Sequence, residues 1–255
     1  MSKLALVRHG KSEWTTEKRF SGWGDAPLSQ KGRDEAQSAG KTLKQSGYVF
    51  DVCFTSRLIR AKDTSHIILD ELGLSKNKLE YKWRLNERHY GALQGELRAD
   101  MRQKHGKLEV VKWRNNYRAE PPKLTDDDSR WQEQLERFPD VPEALHPRSE
   151  SMMQAVQRTK IMWSEDIAPA LKAEKSVLVI AHTNSIRALV GCVEDLTETQ
   201  SGGFRISTAV PRLYELDENL RPLKIRDITK SSKAKIHHWA IRRKMALLEK
   251  NREEH

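Results

Sequence analysis

Leu4-Ala5-Leu6-Val7-Arg8-His9-Gly10 is the stretch that decides the fold of this chain. An apolar run ends abruptly in an arginine, a histidine and a glycine. A short apolar run bounded by a turn residue reads as a buried strand of an α/β sheet. Ligands of open α/β sheets bind beyond the carboxyl ends of the strands, which is where Arg8 and His9 stand. Ser176-Val177-Leu178-Val179-Ile180-Ala181 has the same design and runs into His182-Thr183-Asn184-Ser185. Two strands that each deliver a histidine to one edge point to a paired-histidine site.

Between these strands the pattern alternates. Residues 11–28, with Gly22, Gly24, Asp25 and Pro27, read as a loop over the sheet edge. Ser29 caps an expected helix to about Ser46, with Ala36, Ala39 and Leu43 on one face and Gly47 as its stop. Val49 to Thr55 reads as a strand, followed by a helix with Leu58, Ala61, Ile68, Leu69 and Leu72 on its apolar side and Arg60 in its first turn. Leu79 to Trp83 reads as a short strand, and 97–119 as a helical stretch rich in Lys and Arg. Five prolines between Pro121 and Pro147, with an acidic patch at Asp126 to Asp128, mark an irregular excursion off the core. A helix is expected from about Ser149 to Leu171, another from Ser185 to about Leu196, and a closing hairpin around Asp217-Glu218-Asn219. The alternation implies an α/β fold with a largely parallel sheet.

Residues 1–228 thus read as one catalytic domain and 229–255 as a basic C-terminal tail. In that tail Ile241, Met245 and Leu248 have helical spacing. The 255 residues suffice for a full core, although mean hydropathy is −0.77. No apolar run is long enough to span a membrane, and the start of the chain leaves no room for a secretory signal. Cys53 and Cys192 are the only cysteines. Two thiols in apolar contexts suit a reducing cytoplasm. The net charge is +10, of which residues 230–255 carry eight Lys/Arg against three Asp/Glu. A basic pocket for a small polyanion, and a basic tail for nucleic acid or anionic lipid, both fit that balance. So does plain solubility.

Arg8, His9, Arg60 and His182 converge at strand ends without a carboxylate, which makes a poor metal site. No His-x-x-x-His or Cys-x-x-Cys pair supports one. The set suits a phosphoryl group. Arginine offers paired donors to phosphate oxygens, and an imidazole nitrogen can attack phosphorus to give a phosphohistidine. The second histidine, if protonated, would stabilise developing charge, and backbone N–H groups at Asn184-Ser185 would add to it. Glu87, among Arg88, His89 and Tyr90, is the candidate proton shuttle. An ordinary salt-bridged surface glutamate is the plain alternative.

Leu6-Val7-Arg8-His9-Gly10, Phe20-Ser21-Gly22-Trp23, Thr55-Ser56-Arg57-Leu58-Ile59-Arg60-Ala61, Leu85 to Gly95, Ala181 to Leu189 and Val210 to Leu220 resemble the cofactor-dependent phosphoglycerate mutases. These belong to the histidine phosphatase superfamily, and the resemblance runs over about 3–228. It implies a three-layer α/β/α fold with a mostly parallel central sheet, phosphoglycerate mutase-like. It also implies interconversion of 3-phosphoglycerate and 2-phosphoglycerate, primed by 2,3-bisphosphoglycerate as phosphoryl donor, with no metal. His9 would be the nucleophile, Arg8, Arg60 and His182 the phosphoryl clamp, and Glu87 the acid/base. Thr15, Ser21, Gly22, Arg88, Tyr90, Arg98, Arg114 and Asn184 would line the substrate pocket. The partner implied is a small anionic phosphorylated substrate, without membrane or nucleic acid. A homodimer is among the assemblies such enzymes form.

The sequence departs from that pattern at Lys11 (usually Glu), Thr15 (Asn), Arg98 (Lys), Asn115 (Arg), Thr183 (Gly) and Ala209 (Gly). A positive φ at Thr183 would strain it, and loss of an arginine at 115 loosens the grip on a second anionic group. A mutase is therefore the first expectation. A phosphatase on a small phosphorylated acid or sugar is the alternative, and a protein that binds nucleic acid or lipid through its tail the third.

Overall fold

Leu4 and Leu6 face one side of their strand and Ala5 and Val7 the other, and all four are buried. A run apolar on both faces needs cover on both, and the computed structural model, which describes residues 1–228, provides it. The strands are β1 (Ser2–Arg8), β2 (Val52–Thr55), β3 (Leu79–Tyr81), β4 (Val177–Ala181), β5 (Arg212–Leu216) and β6 (Pro222–Asp227). They lie in one sheet in the order β3-β2-β4-β1-β5-β6. The first four are mutually parallel, and β5 and β6 add an antiparallel hairpin at one side.

After a single short turn, α1 (Glu13–Thr16), helices α2 (Gln30–Gln45) and α3 (Ile59–Leu72) cover the face carrying Ala5, Val7, Leu178 and Ile180. Ser29 caps α2 by accepting the Gly32 N–H, and Gly47 follows its end at φ +72°. Gly10 is required where β1 leaves the sheet toward α2. A Cβ there would lie 2.2 Å from the Gly32 carbonyl oxygen.

The 97–119 stretch forms two helices rather than one. Gly106, at φ +84°, separates α4 (Arg98–His105) from α5 (Lys107–Asn115). The excursion at 121–147 is not wholly irregular. It contains α6 (Ser129–Arg137), capped by Asp128, whose carboxylate accepts the Arg130 N–H. Trp131 is buried in α6, and Phe138 and Val141 just beyond it pack with Trp23 and Leu58. The prolines stop the chain on either side of this helix without preventing it.

The opposite face of the sheet is covered by α7 (Met152–Met162), α8 (Ala168–Lys172) and α9 (Thr183–Glu194), packed on Leu4, Leu6, Val177 and Val179. A π turn, Trp163–Ile167, joins α7 to α8 where one helix was expected. Pro169 at the start of α8 has no N–H to continue an unbroken ladder. A short helix, α10 (Glu198–Gly203), precedes β5. The result is the expected three layers, with β2 and β3 shorter than their apolar patterns and the 229–255 tail outside the described residues. Among the described residues no helix is long and apolar enough to cross a membrane. Cys53 and Cys192 are both free thiols.

Candidate active site

Parallel pairing puts Arg8 opposite Ala181, so His9 and His182 leave the sheet side by side. The His9 N–H extends the ladder to the Ala181 carbonyl at 2.9 Å. Neighbouring strands run about 4.8 Å apart, and the two imidazole centroids are 4.8 Å apart with their planes tilted by 57°. One anion can touch both rings.

His9 Nδ1–H donates to the Gly10 carbonyl at 2.6 Å, which leaves the Nε2 lone pair for attack. His182 shares a hydrogen bond between Nε2 and the Ser56 hydroxyl, 2.6 Å, at the end of β2. Its Nδ1 is buried without a partner. Burial holds the pKa of both rings well below the usual histidine range, and the Arg60 and Arg8 cations push the same way. Both are therefore neutral at physiological pH. A protonated His182 is not the state of the site as it stands.

Arg60, in the first turn of α3, is fully buried and donates to the Gly24 and Gly22 carbonyls at 2.8 and 2.7 Å. Burial lowers its guanidinium to about 10, still cationic at neutral pH. Gly22, at φ +50°, thus orients a cation with its carbonyl. Arg8 donates to the Ile206 carbonyl at 3.0 Å. Arg88 donates to the Trp113 carbonyl and stacks 4.7 Å from the Tyr90 ring centroid. Arg98 lies over Phe20, with Arg114 and Tyr90 close enough to act on its charge. In Arg8, Arg60, Arg88 and Arg98 alike, Nε is buried and has no hydrogen-bond partner. Unmatched buried donors cost free energy, so four together in guanidinium groups suit an anion with several oxygens.

Glu87 is buried on the same edge. Its Oε1 accepts the Arg88 N–H at 2.8 Å and the Asn184 N–H at 3.2 Å. The first turn of α9 therefore holds the candidate proton shuttle, and the Asn184 N–H is engaged by Glu87. A helix N-terminus favours such a carboxylate. Asn184 in turn accepts a hydrogen bond at Oδ1 from Arg187, 3.3 Å. The segment bearing Glu87 is fixed from below by a buried ion pair. Arg158 meets Glu150 at 2.8 Å and also donates to the Arg84, Asn86 and Glu87 carbonyls.

Thr15, in α1, and Ser21, in the turn that follows it, are engaged locally. The Thr15 hydroxyl bonds Ser12 Oγ at 2.9 Å, and the Ser21 carbonyl accepts the Gly24 N–H. Asn115 ends α5 in an exposed position. The carboxylate missing at Lys11 is supplied from α2. Glu35 accepts the Lys11 N–H at 3.0 Å and acts on the Arg8 charge. Thr183 is unstrained as the first residue of α9, whereas Ala209 takes a positive φ of +49°. Sequence reasoning missed Ser56, Glu35, Glu150, Arg158 and Arg187. Only Arg187 left a usable signal, three residues past Asn184 on one helix face. Among the described residues no group of three or more His, Cys, Asp or Glu is placed to hold a metal ion.

Residues 4–141 match the family model of the histidine phosphatase superfamily (branch 1). Among solved structures, the α-ribazole phosphatase of Shigella flexneri superposes with a TM-score of 0.67 at 18% identity, covering 89% of this chain and 96% of that one. A mycobacterial glucosyl-3-phosphoglycerate phosphatase gives 0.66 at 21%, covering 90% and 99%. At such identities the likeness is one of fold.

Proposed function

The chain belongs to the histidine phosphatase superfamily (branch 1), and from that premise we propose that it is a phosphatase acting through phospho-His9 on a small phosphorylated acid or sugar. The observation that carries this reading is the neutral His9–His182 pair, 4.8 Å apart, with the buried Arg60 and the half-buried Arg8 close enough to act on both rings. His9 Nε2 attacks phosphorus, and the bond from phosphorus to the ester oxygen breaks. Glu87 passes a proton to the departing oxygen. Water then attacks the phosphohistidine, gives its proton back to Glu87, and inorganic phosphate leaves as the N–P bond breaks. Arg8, Arg60 and His182 stabilise the charge on the three equatorial oxygens throughout. A phosphate dianion beside His182 favours a proton on that ring.

The substrate needs more than one anionic group to match Arg88, Arg98 and Arg114 at the far side, and a carboxylate beside the phosphate answers that need. Hydrolysis is favoured over internal transfer by two local departures. The Thr15 hydroxyl shares a hydrogen bond with Ser12 Oγ, and Asn115 brings no cation. A site that holds a bisphosphorylated intermediate less tightly loses it to water.

A mutase reaction at the same site is the second reading, favoured by the Leu85–Gly95 motif and by the paired orphan donors of Arg88 and Arg98. Those residues, with Arg8 and Arg60, fit both ends of 2,3-bisphosphoglycerate. That group would supply the phosphoryl that primes His9. Purified protein given 3-phosphoglycerate, with and without 2,3-bisphosphoglycerate, separates the two. Free phosphate without 2-phosphoglycerate supports the phosphatase, and 2-phosphoglycerate in excess of phosphate overturns it. In either reaction a gain of one phosphoryl group should map to His9 by mass spectrometry, and its absence after exposure to substrate sinks both.

A further inference from the structure

Arg187 takes no part in the reaction just described, yet it is bound into the site from two sides. Its Nε donates to the Phe204 carbonyl at 2.8 Å, and one terminal nitrogen donates to Asn184 Oδ1 at 3.3 Å. Its charge also acts on Arg8, and Glu87 and Arg88 act on it. The segment that holds it, 204–209, holds Arg8 as well. Ile206 accepts from the Arg8 guanidinium at 3.0 Å, and the Ala209 N–H donates to the Arg8 carbonyl at 2.8 Å. Ala209 keeps its positive φ within this strap.

A carboxamide beside an anion can present an oxygen, which repels it, or an NH2, which donates to it. Guanidinium is a donor with no acceptor to offer, so it can occupy only the oxygen. We infer that Arg187, set by the 204–206 strap, is a positioning residue that locks the Asn184 carboxamide with its NH2 group toward the anionic substrate. The inference rests on the proposed phosphohydrolase reading, which supplies that anion. The competing account makes Arg187 a tie between α9 and the strap, important for stability alone.

A double-mutant cycle separates the two accounts. Arg187→Met is made in the wild type and in Asn184→Ala, with Arg187→Gln as a second variant of closer polarity. Turnover of p-nitrophenyl phosphate, inhibition by vanadate, and binding of inorganic phosphate by calorimetry are measured on chains that retain the wild-type circular dichroism. A lost hydrogen bond to a charged group should raise KM and the vanadate inhibition constant about tenfold, with kcat less affected. In Asn184→Ala the same change should add less than about twofold. Arg187→Lys keeps the charge but cannot serve both acceptors, so it should recover only part of the loss. Additive losses, or full recovery by Arg187→Lys, overturn the inference. Because phosphate binding is read independently of turnover, the two claims fail separately. A wild type inert toward every phosphoester sinks the hydrolase reading, whereas additive losses of phosphate affinity sink this one.

Discussion

His9, His89 and His182 are buried as neutral rings, and each has its pKa lowered chiefly by burial, His89 to about 4. The unfolded chain takes up protons near pH 6.5, and the folded one refuses them. Stability is therefore fully present above about pH 6.5 and falls as the pH drops below it, by about 1.4 kcal/mol per pH unit for each ring. Urea unfolding at pH 5 should show a loss of about 2 kcal/mol per histidine relative to pH 6.5, and equal stability at the two values would refute the neutral assignment. His9→Gln removes one of the three rings. It should flatten that slope and abolish turnover while the fold persists, since Nε2 is the only nucleophile proposed. Arg8, His9, Arg60 and His182 were legible because each stands at or just past the end of an apolar run. Glu87 was legible from the charged motif around it. Ser56 was not, because its partner lies across the fold: it meets an imidazole 126 positions along the chain.

The elements differ in how they hold the site. Residues 84–89 have little regular structure of their own, and the buried Arg158–Glu150 pair takes the place of a sheet ladder. Glu150 also accepts the His89 N–H at 2.9 Å, and its own N–H returns a bond to the His89 carbonyl. Arg158→Met would leave the Glu150 carboxylate enclosed without its cation and strip a donor from the Trp83, Arg84, Asn86 and Glu87 carbonyls. Breaking a buried pair from one side costs about 3–5 kcal/mol. The shift in urea midpoint should correspond to that loss, with activity falling in parallel as Glu87 loses its seat. A change below about 1 kcal/mol would mean the segment is held otherwise. No pattern in the sequence marks this pair, since α7 reads as an ordinary helix. The same holds for α6, hidden at 121–147 by prolines that lie outside it. There the Asp128 cap was a local signal outweighed by composition. Helix breaks at Gly106 and before Pro169 follow ordinary rules that a continuous apolar pattern obscured.

Across the whole molecule, the strand order gathers cations from β1, α3, the 85–90 segment, α4, α5 and α9 onto one edge of the sheet. Arg8, Arg60, Arg88, Arg98, Arg114 and Arg187 there outnumber the carboxylates that act on them, Glu87, Glu35 and Asp25, in a chain whose net charge is already +10. A field of that sign concentrates a multiply charged anion before it docks. Mobile salt screens it over about 10 Å at 0.1 M and about 3 Å at 1 M. The encounter should therefore be strongly salt-dependent, and the chemistry, enclosed among buried groups, much less so. Raising sodium chloride from 0.02 to 0.5 M should cut kcat/KM for a phosphorylated acid by roughly tenfold or more and leave kcat within about twofold. p-Nitrophenyl phosphate, which has no second anionic group, should lose less. If both substrates responded alike, the arginines beyond the phosphoryl clamp would not be reading a second charge, and the substrate would be a simple phosphomonoester.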